Sequence, residues 1–182
     1  MHAYSNEVGK KKQDIDKPKQ GRSLRDLYSR PGFLLRRANQ IAMNIATHEC
    51  AKIGLTPPQH VCLIALHRYP GIDQISLGKA LGIDRATIGQ VLRSLEARGF
   101  VSRSSFPDDG RRKRVSLTMD GKRLARVANS ATIRASKRIL SALNLAERRT
   151  FVALLQKTVT ALNSESPSPV EAPDTAAQKH RQ

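Results

Sequence analysis

The chain has 182 residues and carries 32 lysines and arginines against 15 aspartates and glutamates, a formal net charge of +17. That length suits one well-packed domain with tails, and so large a surplus of cations points to a polyanionic partner, whether nucleic acid, an anionic membrane surface or an acidic protein. No window approaches the roughly 20 apolar residues that span a bilayer, no signal-like apolar stretch follows Lys10, Lys11 and Lys12, and Cys50 and Cys62 lack metal-ligand spacing, so a cytoplasmic chain without membrane, metal or cofactor is expected.

Residues 1–20 are rich in Lys, Gln and Asp, and the stretch from 164 carries Ser166, Pro167, Ser168, Pro169 and Pro173; both ends, 1–20 and 164–182, are expected to be disordered. Between them apolar residues recur at helical spacing. Leu34, Ala38, Ile41 and Ile45 form one stripe. Thr56-Pro57-Pro58 then suits a capped helix start ahead of Val61, Ile64, Ala65 and Leu66, and Tyr69-Pro70-Gly71 interrupts the pattern.

A short helix from Asp73 carries Leu77 and Leu81 and ends at Gly82, and Asp84 caps the next, which turns Ile88, Val91, Leu92 and Leu95 to one side and stops at Gly99. Three residues, Gly82, Ile83 and Asp84, separate the two helices, the spacing of a helix-turn-helix; a helical hairpin in a structural bundle is the alternative. Phe100-Val101-Ser102-Arg103 and Arg114-Val115-Ser116-Leu117 read as two strands around a turn at Asp108-Asp109-Gly110, which is a wing and disfavours the bundle. Arg111, Arg112, Lys113 and Arg114 then stand at the hairpin tip, free to reach outward. From Asp120 to Leu143 one long helix is expected, with Leu124, Val127, Ala131, Ala135 and Ile139 at helical spacing. A last helix begins near Asn144 with Glu147 closing a capping box, and it is expected to bury Phe151, Leu154, Leu155, Val159 and Leu162.

These residues resemble the MarR family of bacterial transcription regulators over about Leu24 to Leu162. The run from Leu81 to Ile88 and that from Leu92 to Val101 look like the family's recognition helix and first wing strand, and Asp109-Gly110-Arg111, five residues, then Leu117-Thr118 is similar to its wing motif. The resemblance implies a mainly α fold with a small β wing, a winged helix-turn-helix in a homodimer with interlocked terminal helices. One domain, 21–163, would divide into dimerisation segments 24–54 and 120–163 and a DNA-binding segment 55–119. It further implies a small effector, often a phenolic or aromatic acid, in a crevice between dimer helices and DNA-binding lobe. The segment from Pro31 to Ile41 looks like the first helix of members that control aromatic-acid breakdown.

On a helical wheel, Ala86, Gln90 and Arg93, with Thr87 on the flank, lie opposite the apolar side of the second helix and would enter the major groove. Gln90 can pair bidentately with adenine, Arg85 or Arg93 can read guanine or grip phosphate, and Ala86 and the Thr87 methyl admit a thymine methyl. Ser76 and Lys79 are candidates for phosphate positioning. By resemblance Arg111 enters the minor groove, where arginine is favoured, with Arg112 and Lys113 beside it, and Asp109 braces the wing. For an effector, Arg37, Asn44 and His48 share one helix side with Ile41, offering a cation for a carboxylate and an amide for a ring substituent, with Tyr28 and His60 as further contacts; the alternative is a helix edge at a dimer interface.

The expected function is therefore a sequence-specific regulator of double-stranded DNA: a repressor released from a pseudo-palindromic operator by a small aromatic carboxylic acid, and controlling aromatic catabolism genes. No phosphate-cradling glycine motif, paired carboxylates or Ser, His, Asp set supports an enzyme. Three other readings stay open: an architectural DNA-binding protein without ligand, a zinc sensor using His48, Glu49, His60 and His67, and a thiol switch on Cys50 or Cys62.

Overall fold

The structure, a computed structural model, describes residues 24–106 and 109–173, with the side chains of 106 and 109–112 outside the description. The segments 1–20 and 174–182 and the wing-turn residue Asp108 thus lie outside the described residues. The elements are helices α1 (Leu24–Tyr28), α2 (Pro31–Ala51), α3 (Pro57–Arg68), α4 (Gln74–Leu81) and α5 (Arg85–Ala97), strands β1 (Val101–Phe106) and β2 (Asp109–Leu117), helices α6 (Met119–Ile139) and α7 (Leu145–Ala161), and a short 3-10 turn, Asn163–Glu165. This is the mainly α fold with a two-stranded antiparallel wing that the sequence predicts.

Helix boundaries follow local chemistry. Thr56 and Gln59 form a capping box at α3, and Asn144 and Glu147 form the expected one at α7. Asp73, Asp84 and Thr118 cap α4, α5 and α6 through side-chain oxygens that accept otherwise unpaired amides of the first turn. Gly82 ends α4 at φ 61°, a left-handed conformation that glycine adopts without the penalty of a Cβ.

Two compact units divide the chain, residues 1–38 and 39–182. In the described part of the first, the Tyr28 and Phe33 rings lie 5.1 Å apart and the Arg36 guanidinium sits 5.0 Å over Phe33. The second holds a core built from α3, α4, α5, the wing and α6: Cys62, Leu63, Leu66, Leu77, Ile88, Leu92, Leu95, Val101, Val115, Ala125 and Ala128 are all buried. Each Leu-sized side chain so placed contributes roughly 1.5–3 kcal/mol, before the entropy of ordering it.

The helix-turn-helix is tight because Gly78 lets the backbones approach: a Cβ there would stand 3.0 Å from the Ile83 carbonyl oxygen and 3.4 Å from the Ile88 side chain. Helix α6 joins the lobe through Gly121, Ala125, Ala128 and Ala131; of the expected stripe Leu124, Val127, Ala131, Ala135 and Ile139, Ala131 is buried and Leu124 packs partly against the core. Small side chains let α6 lie close to α3 and to the Phe100 backbone. Val127, Ile133 and Ile139 remain exposed.

The last helix departs from expectation. Phe151, Leu154, Leu155, Val159 and Leu162 form the predicted stripe but are exposed, and α7 buries no residue. The pattern describes a face that needs a partner, and this chain supplies none for it among the described residues.

Candidate nucleic-acid interface

Helix α5 separates its two faces cleanly. Ile88, Gly89, Val91, Leu92 and Leu95 are buried, whereas Arg85, Ala86, Gln90 and Arg93 are exposed and Thr87 is half-buried on the flank. The first turn is held firmly: one Asp84 carboxylate oxygen accepts the Ala86 and Thr87 amides at 2.9 Å, and the other accepts the Thr87 hydroxyl at 2.6 Å. Those hydrogen bonds, the Thr87 hydroxyl first, hold the Asp84 carboxyl below the usual carboxylate range. Asp73 repeats the arrangement at α4, with the Ile75 and Ser76 amides at 3.1 and 3.0 Å and the Ser76 hydroxyl at 2.8 Å. The hydroxyl protons of Thr87 and Ser76 are thus committed to the Asp84 and Asp73 caps.

The wing is longer than the sequence suggests. Val101 pairs with Leu117 and Ser105 with Lys113, and the register shifts between Ser105 and Phe106. Arg111 and Arg112 lie in β2, with side chains outside the described residues, as is that of the expected brace Asp109. Lys113 donates to the Ser105 hydroxyl across the hairpin at 2.8 Å. Arg114, expected both to open the second strand and to reach outward from the tip, pairs with Ser104 in the ladder and lays its side chain against Gly71. Two anchors orient the hairpin, neither visible in the sequence: the Val115 amide donates to the Ile72 carbonyl at 2.9 Å, and Arg103 on β1 donates to Glu96 on α5 through its Nε at 2.8 Å and also through Nη2.

Lys79, on the exposed side of α4, has an unexpected partner. Residues 163–173 carry a described backbone where composition suggests a disordered tail, and they run against α4. Lys79 Nζ donates to Glu171 Oε2 at 2.9 Å, and the Glu171 amide donates to the Lys79 carbonyl at 3.1 Å. A cleft of about 310 Å³ lies between this segment, α4 and the first turn of α5, bordered by Gln74, Lys79, Arg85, Ser168 and Glu171 among others.

Residues 55–113 match the model of the MarR family, which covers α3 to the middle of β2. The chain is 31% identical over 126 residues to the HTH-type transcriptional repressor Rv2887 of Mycobacterium tuberculosis, covering 69% of this chain and 91% of that one. The chain belongs to the MarR family. Solved structures similar to this MarR-family chain include the PcaV transcriptional regulator of Streptomyces coelicolor in complex with its natural ligand, at 33% identity and TM-score 0.68 over 75% of this chain and 96% of PcaV. Bordetella bronchiseptica BpsR, whose DNA binding is regulated by 6-hydroxynicotinic acid, matches at 34% identity and TM-score 0.68, covering 72% and 94%. Rv2887 in complex with DNA matches at 28% and 0.60, covering 71% and 98%. The protein is thus a DNA-binding transcription regulator with a winged helix-turn-helix, and homodimers are typical of this family. No helix among its described residues is long and apolar enough to cross a membrane.

The effector candidates of this MarR-family chain fall on different elements. Tyr28 and Arg37 lie in the first unit and are exposed; Asn44 and His48 are exposed on the second half of α2. His60 is half-buried and joins α3 to α6, with Nε2 2.9 Å from the Ala128 carbonyl oxygen and 3.1 Å from the Thr132 hydroxyl. Glu49, considered only as a zinc ligand, is instead buried among cations: Lys52 and Arg134 donate to its two oxygens at 2.7 and 2.8 Å, and Arg138 stands 3.6 Å away. The hydrogen bonds from Lys52 and then Arg134 lower its pKa from 4.5 to about 2. His48, Glu49, His60 and His67 are not gathered into a metal site: no group of three metal-ligating side chains occurs among the described residues. Cys50 and Cys62 are both free and buried. Burial raises the Cys50 thiol and pushes that of Cys62 up to about 12, which keeps them protonated and disfavours the thiol-switch reading.

Proposed function

We propose that this protein is a repressor that binds a pseudo-palindromic operator as a homodimer and is released by a small aromatic carboxylic acid, with aromatic catabolism genes as its targets. The observation that carries the DNA half is α5 itself, capped by Asp84, buried along one face and presenting Arg85, Ala86, Gln90 and Arg93 on the other. In this reading Gln90 and Arg85 read base edges, Ala86 and the Thr87 methyl meet thymine, and Arg93 grips phosphate or guanine. Ser76 and Lys79 approach the backbone, Ser76 by exchanging its Asp73 bond for a phosphate oxygen. Arg111, Arg112 and Lys113 approach the minor groove, Arg111 deepest, with Asp109 bracing the turn.

The effector half is supported by similarity to PcaV, solved with its natural ligand, and to BpsR, regulated by 6-hydroxynicotinic acid. Asn44 and His48 in the second unit and Arg37 in the first are the candidate contacts by helical spacing, with His60 and Tyr28 as further contacts. Ligand binding that favours one separation of the two recognition helices would release an operator whose half-sites lie about 34–36 Å apart. The deciding experiment is a titration of the protein against its upstream DNA and a scrambled duplex at two salt concentrations, with and without hydroxylated aromatic acids. Release of the specific duplex alone by one acid supports the reading. Affinity indifferent to both sequence and acid favours an architectural protein. In the same assay Arg111→Ala should weaken every duplex and reduce the salt slope by about 1, whereas Gln90→Ala should relax preference at one base pair.

A further inference from the structure

The segment after α7 is folded on itself before it meets α4. The Asn163 side chain clasps Val170 from both sides, its amide donating to the Val170 carbonyl and its oxygen accepting the Val170 amide, each at 2.9 Å. Ser166 Oγ accepts the Ser168 amide at 3.2 Å. The clasped loop reaches the turn of the helix-turn-helix: a Cβ on Gly82 would stand 3.1 Å from both the Ser168 carbonyl oxygen and Val170 Cγ2. Beyond it, Glu171 takes both the Lys79 ammonium and the Lys79 carbonyl, and Ser168, Pro169 and Glu171 border the cleft that Arg85 closes from the α5 side.

A helix with its side chains is about 10–12 Å across and the major groove about 12 Å wide, so the groove that admits α5 has no room for a second segment beside its first turn, which adds about 5 Å. A carboxylate on Lys79 also stands where a DNA phosphate would. We propose that residues 163–173 form an inhibitory strap that holds the α4–α5 turn of its own chain and must lift before the duplex seats, Glu171 yielding Lys79 to a phosphate. The strap rests on the assignment of Lys79 and Arg85 to the DNA-facing side. The Lys79–Glu171 pair is more than half exposed on both sides, so it is weakly held and exchanges readily for phosphate. The strap therefore tunes affinity and does not abolish it.

The test compares the full chain with its Asn163→Ala, Glu171→Gln double variant, which leaves α5, the wing and residues 174–182 intact. Duplex affinity is measured by titration, and hydrogen exchange is followed at the Val170 and Glu171 amides. The double variant should bind duplex about fivefold tighter, the scale set by one weak ion pair and its neighbouring hydrogen bonds. In the parent protein both amides should be protected when free and exchange faster when saturated with duplex. Unchanged or weaker affinity in the double variant, or protection of both amides that persists on bound DNA, overturns the strap. Rapid exchange in the free parent overturns it as well. If neither protein binds any duplex while the amides stay protected, the DNA-facing assignment fails and the inhibitory role fails with it, although the docked segment itself stands.

Discussion

Helices α5 and α7 carry apolar stripes of the same period, yet in α5 Leu92 and Leu95 are wholly buried while in α7 Leu154 is 60% exposed. Helical periodicity states that a face is apolar and leaves open what covers it. In α5 the cover comes from α3, α4 and the wing of the same chain. In α7 nothing in the described chain covers the stripe, and a surface of this kind calls for another protein surface, for which a second copy is the partner typical of the family. Helix α6 combines both situations, with a glycine and alanine face closed against the lobe and Val127, Ile133 and Ile139 left bare.

The comparison breaks most severely at Gly121. A Cβ there would stand 1.9 Å from the Phe100 carbonyl oxygen, a backbone atom also held by the Thr118 amide. Gly121→Ala should therefore destabilise the lobe by about 3 kcal/mol or more, seen as a lowered urea midpoint; a midpoint within error of the parent would refute the close approach. Next in size, Leu95→Ala should cost about 2–5 kcal/mol in the same assay. Leu154→Asp should instead leave the lobe folded by near-ultraviolet and exchange criteria but shift the sedimenting species toward monomer. If it unfolds the lobe at any concentration, the contrast between covered and bare stripes is wrong. A cap is worth less: Asp84→Ala should lower the urea midpoint less than Leu95→Ala does while removing order from the first turn of α5, so duplex affinity should fall more than stability does.

The smallest effect is a pH dependence. Glu49 has its pKa lowered from 4.5 to about 2 in the folded chain, so the folded state favours its ionised form. Its stabilising contribution is fully present above about pH 4.5 and is lost as pH falls toward 2. Unfolding midpoints of the parent should decline over that interval more steeply than those of Glu49→Gln, and parallel acid limbs would remove Glu49 from the account.

Much of the interface was legible in the chain. The burial of Ile88, Val91, Leu92 and Leu95, and with it the exposure of Gln90 and Arg93, follows from a 3.6-residue period around a capped start. The strand position of Arg114 is legible, but the direction of its side chain is not: consecutive basic residues look alike in sequence, whereas in a ladder their side chains alternate between faces, and only the tertiary structure sets Arg114 against Gly71.

The same division runs through the molecule. Caps at Asp73, Asp84 and Asn144, the turn at Gly82 and the period of each stripe are settled within a few residues, because hydrogen bonds from residue i to i+2 or i+3 and the pitch of a helix are local. The sequence by itself determined these elements and their order. Only the tertiary structure decided that α6 packs through Gly121 and Ala128, that Arg103 braces α5 through Glu96, that Glu49 sits among Lys52, Arg134 and Arg138, and that Glu171 meets Lys79. Except for Lys52, each of these joins separate elements, as many as 92 residues apart in the case of Lys79 and Glu171. Such contacts depend on which faces the core brings together, a choice made by packing and charge pairing in three dimensions that no local pattern encodes.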